Sequence, residues 1–399
     1  MPQLKLLLAL AVVALVQAPQ AAQQAQPAPS QQQQVSEGLK LQAGRAERVV
    51  SRGKKAYYTR SFDLSGLPSY KPAESVTGQI RMWGSNYLKD GNLADYWEAT
   101  FKKFHPGVTF EYQLKTSLAA VPALVTGVAD LGPNRKITFA ETLLYERYFN
   151  RDPLEIVFAT GSFDVPGWQP AYGIVVHKNN PIAHLTMKQL DGIFGAERRG
   201  GWVGTSWHPE FARGPEENIR SWGQLGLTGE WAGRRINVYG LNLRYHQATV
   251  ISDMLLKSSD KWNENLRIYA NEILPDGTFG RLMVDDLVAD PSCIAYIAAP
   301  TVNLPPELRL VPLAAGDGGR FVDFTIENVQ NRTYLLADEV YMYANLGQGG
   351  QGGPVDPKVK EYLRFILSRE GQQDVMRDGK YLPLTPELVR EQLKKLGQR

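Results

Sequence analysis

At 399 residues, with 43% hydrophobic and 10% aromatic content, the chain is long enough to bury one large core or two moderate ones. Its formal net charge of +3 is too small to indicate a nucleic-acid partner, and no run of Lys and Arg accompanies stacking aromatics. The single cysteine, Cys293, excludes an internal disulfide and a cysteine-rich zinc site, and its apolar neighbours predict a buried, unreactive thiol.

Residues 1–22 have the pattern of a cleaved signal peptide. Lys5 precedes an apolar stretch, Leu6–Val16, that is too short to span a bilayer comfortably. Small residues follow up to Ala22, and the absence of a cysteine there excludes lipid attachment of the lipoprotein type. We therefore expect a periplasmic or secreted protein, with an uncleaved anchor as the alternative.

Residues 23–75 are predicted to form a linker and an arm. Pro19–Gln34 is rich in Gln, Ala and Pro, which cannot offset their ordering entropy by burial, so this part indicates a disordered linker. Arg45–Tyr70 is basic and aromatic. This arm either contacts a membrane or a partner, or packs on the main domain as a strand or coil, and we favour packing.

From Thr77 onward the pattern predicts a βαβ unit. Ile80 and Met82 alternate with polar neighbours as in a strand, and Gly84-Ser85-Asn86 is a turn. One face of the next helix is apolar, at Leu93, Trp97, Phe101 and Phe104. Residues 108–114 alternate as a second strand, a helix runs from Thr116-Ser117 to about Gly127, and 130–132 close the unit. Parallel strands of this kind bind ligands at their C-terminal ends.

The stretch 171–194 predicts a strand that leads into a helix. The strand is Gly173–Val176, and Asn179-Asn180-Pro181 ends it because proline cannot continue a ladder. Thr186 is placed to cap a helix with one apolar face, formed by Met187, Leu190, Ile193 and Phe194. Near the C-terminus, Arg332–Tyr343 predicts another strand, and Asp356-Pro357 opens a helix that ends before Gly371. Two such strands predict a chain that crosses twice between two lobes.

The middle of the chain is predicted to be irregular, apart from a few short elements. Gly195–Gly233 holds four tryptophans among many glycines, and structural packing is favoured over a carbohydrate or aromatic-ligand platform. Further elements follow as the strand Arg235–Tyr239, a helix carrying Val250, Ile251, Met254 and Leu255, and the strand Cys293–Ala298. The glycine-rich loop 348–353 lacks the Lys-Ser/Thr pair of a phosphate cradle.

Two motifs resemble the periplasmic phosphate-binding proteins of ABC transporters. The first motif is the strand that ends in Asn-Asn-Pro, followed by the pattern L-T-x-x-Q-L-x-x-I-F. The second motif begins with N-R-T-Y and continues with an apolar strand. It ends with the pattern V-K-E-Y-L-R-F-I-L-S-x-E-G-Q at Val359–Gln372. The resemblance covers about residues 76–386. It implies an α/β fold of the type 2 periplasmic-binding-protein class, with two lobes, mixed sheets flanked by helices, and a double-crossover hinge. Lobe 1 is expected at 76–170 plus 344–399, and lobe 2 at 171–343.

The resemblance also implies an anion site between the lobes, built from helix N-termini, hydroxyls and one arginine. The turn Gly84-Ser85-Asn86 matches the family's first ligand loop. Thr116-Ser117 matches the second, although Leu118-Ala119-Ala120 replaces the family's glycines. Asn134-Arg135 stands where relatives carry Ser-Arg or Ser-Asp, and an arginine here relaxes the preference for phosphate over sulfate. A structural pairing of Arg135 with Glu141 is the alternative.

The third ligand loop, Asn242 to His246, departs from the family. Gly240 stands where the family's arginine is expected, and Arg244-Tyr245-His246 replaces Ser-Gly-Thr. Bulky side chains here indicate a different or larger anion, or a site that no longer binds. Arg244 can restore the missing charge and His246 can add a donor, or both can be surface or packing residues.

We therefore expect an exported solute-binding protein that captures phosphate or a related oxyanion for an ABC permease in the inner membrane. It is expected to be a monomer without metal or organic cofactor. The alternatives are an exported scaffold or interaction protein with a degenerate site, and a secreted phosphatase-like hydrolase. Because the sequence has no nucleophile elbow, no His-Glu-x-x-His and no two-metal carboxylate cluster, an enzyme is not expected.

Overall fold

The computed structural model describes residues 60–165, 168–243, 246–269, 281–298, 300, 304–347 and 352–397. Its strands are β1 (Gly78–Trp83), β2 (Val108–Gln113), β3 (Leu131–Asn134), β4 (Leu154–Thr160), β5 (Tyr172–His177), β6 (Leu185–Thr186), β7 (Gly201–Val203), β8 (Ser206–His208), β9 (Asn237–Leu241), β10 (Arg267–Tyr269), β11 (Cys293–Ala298), β12 (Leu308–Leu310), β13 (Leu313–Ala314) and β14 (Glu339–Ala344).

Its helices are α1 (Tyr87–Asp90), α2 (Leu93–Phe101), α3 (Ala120–Val125), α4 (Phe139–Phe149), α5 (Met187–Phe194), α6 (His246–Leu255), α7 (Arg281–Ala289), α8 (Ile326–Gln330), α9 (Pro357–Ile366), α10 (Arg369–Asp378) and α11 (Pro386–Lys395). In the described ranges, none of these helices is long and apolar enough to cross a bilayer. The predicted signal peptide and linker, and most of the loop 348–353, lie outside these ranges.

The first sheet has the strand order β2-β1-β3-β14-β4. Strand β1 runs parallel to β2 and β3, which confirms the predicted βαβ unit, whereas β14 is antiparallel to β3 and β4. The predicted lobe boundary places residues up to Tyr343 in lobe 2, but β14 lies in the first sheet. The apolar residues Val340–Ala344 of β14 are buried in the same hydrophobic cluster as residues of β1, β3 and β4. This burial explains why β14 belongs to the first lobe.

The second sheet has the order β10-β9-β11-β5-β12 and mixes parallel and antiparallel pairs. Every residue of β5 is buried, as expected for a central strand covered on both faces. Cys293 at the start of β11 is also buried, and burial raises the pKa of its thiol to about 12, which confirms the predicted unreactive cysteine.

The chain crosses between the two sheets twice, once from β4 to β5 and once before β14. The two crossings are hydrogen-bonded side by side, because Gly161 N donates to Asp338 O at 2.8 Å and Tyr172 N donates to Leu336 O at 3.0 Å. Each sheet has its own hydrophobic cluster. The fold is therefore the expected two-lobed α/β arrangement with a double crossover.

Two predicted boundaries are wrong for local reasons. The strand predicted to begin at Arg332 begins at Glu339, because Arg332 adopts a left-handed φ of 61° and 332–338 form turns after α8. Phe104 lies beyond the end of α2 and is 37% exposed, so it does not extend the helix face that Leu93, Trp97 and Phe101 bury.

The part of the predicted arm that the structure describes packs as coil on the first lobe. Leu64, Leu67 and Tyr70 are buried in its hydrophobic cluster, and Phe62 touches both clusters. For residues 60–70 this confirms packing over a free, partner-binding arm.

Candidate functional site

Three of the predicted ligand loops meet at one edge of the first sheet. Because β1, β2 and β3 are parallel, their C-terminal ends lie together. The loops are also joined by backbone hydrogen bonds: Ser85 N donates to Pro133 O at 2.8 Å, and Thr116 N donates to Gly84 O at 3.0 Å. The loops 84–86, 116–117 and 134–135 are thus brought side by side.

Gly84 makes this approach possible. Its φ is 155°, and a Cβ at this position would lie 2.2 Å from Pro133 O. Ser85 is buried, and its Oγ accepts only a long bond of 3.4 Å from Tyr87 N. No described residue accepts its hydroxyl hydrogen, which is therefore available to a ligand. Asn86, by contrast, uses its amide to donate to Asp90.

The second loop presents a different surface. Thr116 is extended and exposed, and Ser117 opens a single 3-10 turn, Ser117–Ala119, before α3. Leu118 in that turn is 63% exposed. The replacement of the family's glycines thus puts an apolar side chain at the surface of the loop.

Asn134, at the end of β3, carries a buried donor without an acceptor. The residue is 1% exposed, and its Oδ1 accepts from Arg135 N at 2.9 Å. Its Nδ2 has no hydrogen-bond partner among the described residues. Since buried N–H groups are nearly always paired, this amide indicates a place where a ligand acceptor fits.

Arg135 is held by a carboxylate, as the structural alternative expects. Its guanidinium donates to Glu141 Oε2 at 2.9 Å, and both side chains are 11% exposed. The same carboxylate oxygen accepts from Thr138 N and Thr138 Oγ1 in the capping box of α4. Glu141 therefore neutralises most of the charge of Arg135, while Glu141 Oε1 remains buried without a described partner.

The second-lobe loop is described only in part. Asn242 N donates to Tyr269 O at 2.8 Å, and Arg244 and Tyr245 lie outside the described residues. Gly240 is packed against Leu266 and Tyr296, which lie 3.1 and 3.2 Å from the position of an added Cβ, so a larger side chain here would require these two to shift.

His246, the first residue of α6, faces the crossing that precedes β14. Its Nε2 lies 3.7 Å from Asp338 Oδ2, and neither ring nitrogen donates to or accepts from a described group. Asp338 is 2% exposed and was missed from the sequence. The sequence does contain a signal for Asp338, because the carboxylate pair Asp338-Glu339 interrupts the apolar run 334–344.

Asp253, on the same helix as His246, is a second carboxylate that sequence reasoning missed. Burial raises its pKa, while a hydrogen bond from Ser258 and the charges of His246 and Lys136 act in the opposite direction. Among the described residues, no three His, Cys, Asp or Glu side chains lie close enough together to hold a metal ion.

Most of the chain matches a known protein family. Residues 71–370 match the family model of the PBP superfamily domain. The chain is 31% identical over 333 residues to proteins named phosphate-binding protein PstS from two strains of Pseudomonas aeruginosa, a match that covers 83% of this chain and 91% of each relative.

Among solved structures, the chain is similar to PstS from Borrelia burgdorferi, with a TM-score of 0.50 and 15% identity, covering 78% of this chain and all of that one. At this identity the similarity concerns the fold. The family-model match and the 31% identity together show that this chain belongs to the PBP superfamily and, within it, to the family of the phosphate-binding protein PstS.

Proposed function

We propose that this chain captures phosphate or a related oxyanion between its two lobes. The observation that carries the proposal is the Nδ2 group of Asn134, a buried donor without a described acceptor. It lies at the strand edge where the loop of Ser85 is hydrogen-bonded to Pro133. The curated relatives are named phosphate-binding proteins, which supports an inorganic oxyanion as the ligand.

The donors at this edge are mainly neutral. Ser85 and Asn134 offer a hydroxyl and an amide, whereas the charge of Arg135 is balanced by Glu141. Oriented neutral donors bind an anion well when they are shielded from water. Glu141 Oε1 adds a buried acceptor without a described partner, and a protonated phosphate oxygen can donate to it. Sulfate has no such hydrogen at neutral pH, so this acceptor favours phosphate.

We also propose that the protein works outside the cytoplasm, as a monomer that delivers its anion to an ABC permease. The support is the signal-peptide pattern of residues 1–22 and the resemblance of the chain to transporter-binding components. The matched relatives are named as binding proteins, and we assign this chain no catalysed reaction and no cofactor.

Isothermal titration calorimetry with inorganic phosphate and with sulfate tests the proposal. We expect phosphate to bind more tightly than sulfate. Asn134→Asp removes the donor and adds a negative charge, so we expect it to weaken phosphate binding by about 2 kcal/mol or more, roughly thirtyfold. The matched control is Asn265→Asp, at an exposed position of the second lobe, which we expect to leave the affinity unchanged.

Two results would contradict this function. One is the absence of heat and of any thermal shift with either anion in a protein that melts cooperatively. The other is a phosphate affinity that Asn134→Asp and Asn265→Asp leave equally unaffected.

A further inference from the structure

A cavity of about 800 Å3 lies in the second lobe, apart from the predicted anion site. Its walls are formed by the segments 197–200, 213–215 and 258–261, together with Trp202 and Trp207. None of the described residues in the loops 84–86, 116–117, 134–135 and 242–246 lines it. Its volume is within the range of pockets that enclose small organic molecules.

The back wall of the cavity holds a buried excess of positive charge. Asp191 accepts from both terminal nitrogens of Arg198, each at 2.6 Å. Arg213, with a side chain only 4% exposed, shares the same carboxylate, but its Nε lies 3.6 Å from Asp191 Oδ1 and donates to no described acceptor. One carboxylate thus faces two guanidinium groups, and a buried charge without its own counterion is costly.

Arg213 is held in this position by its other nitrogens. NH1 donates to Asn218 Oδ1 at 2.9 Å and NH2 to Ala196 O at 2.7 Å. Burial lowers the pKa of Arg213, and Arg198 acts in the same direction, whereas the charges of Asp191 and Glu217 act against them without restoring the ordinary value. An anion in the cavity would supply this missing charge.

The rim carries the cations Arg199 and Lys261 and the carboxylates Glu197 and Asp260. Arg199 is exposed and makes no ion pair or hydrogen bond with the residues that the structure describes. Lys261 has only a loose contact, 3.5 Å from Asp260, and both groups are mostly exposed. The other carboxylate at the wall, Glu197, is engaged by Asn218 Nδ2 at 3.0 Å. Arg199 is therefore the rim cation that is available to a ligand.

An aromatic wall lies beside these cations. The rings of Trp202 and Trp207, on the β7–β8 hairpin, have centroids 5.0 Å apart at an interplanar angle of 67°. Trp207 is 47% exposed. Gly200 leaves room for this ring, since a Cβ there would lie 2.4 Å from it. A large, exposed indole beside Arg199, a cation without a described partner, is a surface on which a flat apolar group can stack.

We propose that this cavity binds a small organic anion with a flat apolar group, such as an aromatic carboxylate. Its charged end contacts Arg199 at the rim and faces the positive charge of Arg213 at the back wall, and its flat group stacks on the exposed indole of Trp207. The cavity and the proposed oxyanion site have no described residue in common.

The test is calorimetric titration of the full chain with naphthalene-2-carboxylate, in excess inorganic phosphate so that the interlobe site is occupied. We expect the unmodified chain to bind this probe and to bind neither acetate nor the uncharged 2-naphthylmethanol. Arg199→Gln should weaken binding about fivefold through the lost rim charge. Trp207→Ala should weaken it about tenfold through lost stacking.

The matched control is Arg390→Gln, which removes an exposed arginine of α11 that does not line the cavity. Thermal melting of each variant checks that it folds. The proposal is overturned if naphthalene-2-carboxylate does not bind, or if Arg199→Gln and Trp207→Ala bind it as the control does. Equal binding of 2-naphthylmethanol would overturn the assignment of an anion.

Discussion

In its neutral form, His105 has a hydrogen-bond partner at each of its two ring nitrogens. Tyr70 Oη donates its one hydrogen to Glu361 at 2.7 Å, so His105 Nε2, also 2.7 Å from that oxygen, must be the donor between the two. The other ring nitrogen, Nδ1, accepts from Val76 N at 3.4 Å. Protonating Nδ1 would break this last bond inside the core. Burial is the main cause of the lowered pKa of His105.

The free energy of unfolding should therefore depend on His105 at mildly acidic pH. A histidine whose pKa is lowered by folding contributes stability above its unfolded pKa, about 6.5, and that contribution is lost as pH falls through and below it. We expect urea unfolding to show stability decreasing from about pH 8 to about pH 5. His105→Gln should reduce this slope, whereas His184→Gln, at an exposed position, should retain it. Equal slopes in the two variants would argue against the role of His105.

At the scale of single elements, side-chain caps position both the scaffold and the site. Thr186 and Gln189 form a reciprocal capping box at α5, as the sequence predicts. Thr138 and Glu141 form another at α4, and there the cap carboxylate also binds Arg135. A helix start therefore determines how much charge Arg135 can offer to a ligand.

Thr186→Ala should lower the free energy of unfolding by about 1 kcal/mol, because the hydroxyl that accepts from Gln189 N is lost. Phosphate affinity should not change, since α5 carries no predicted ligand residue. Thr228→Ala provides the comparison: Thr228 precedes a short 3-10 turn but makes no side-chain cap hydrogen bond. Denaturant unfolding measures both. A loss at Thr228 as large as at Thr186 would mean that capping is not the cause.

At the scale of the whole molecule, the lobes touch away from the crossings. Trp202 of the β7–β8 hairpin packs on Phe139 of α4, with ring centroids 4.7 Å apart. In the same hairpin, Thr205 Oγ1 donates to Glu146 Oε1 at 2.8 Å. The hairpin belongs to the second lobe and α4 to the first. We expect these contacts to restrain the two lobes in the arrangement described here.

Removing both contacts should let the lobes separate. We expect the double variant Phe139→Ala and Thr205→Val to have a larger radius of gyration in small-angle X-ray scattering without ligand. Because Phe139 and Thr205 lie at the surface, its melting temperature should change by only a few degrees. Leu143→Ala, which removes an exposed side chain of the same helix, is the control. A radius unchanged in the double variant would show that this contact does not restrain the lobes.

The sequence by itself determined the elements and the class of fold. Periodicity and helix caps act between residues that are close in the chain, so elements of secondary structure can be predicted from the sequence. Examples are strands β1 and β5, the capped helix at Thr186 and the helix that begins at Asp356-Pro357. The two family motifs extended this to a two-lobed fold. The ligand loops after β1 and β2 followed from the rule for parallel strands, whereas Asn134-Arg135 after β3 followed from the family resemblance.

Only the tertiary structure decided which groups are free to act. It placed β14 in the first sheet, paired Arg135 with Glu141 rather than leaving its charge open, and put Asp338 opposite His246. It also brought together the cations and tryptophans of the second-lobe cavity. The residues in these contacts are distant in sequence, or other residues nearby could have made the same contact equally well. The packing of the whole chain therefore selects the partners, and no local sequence pattern does.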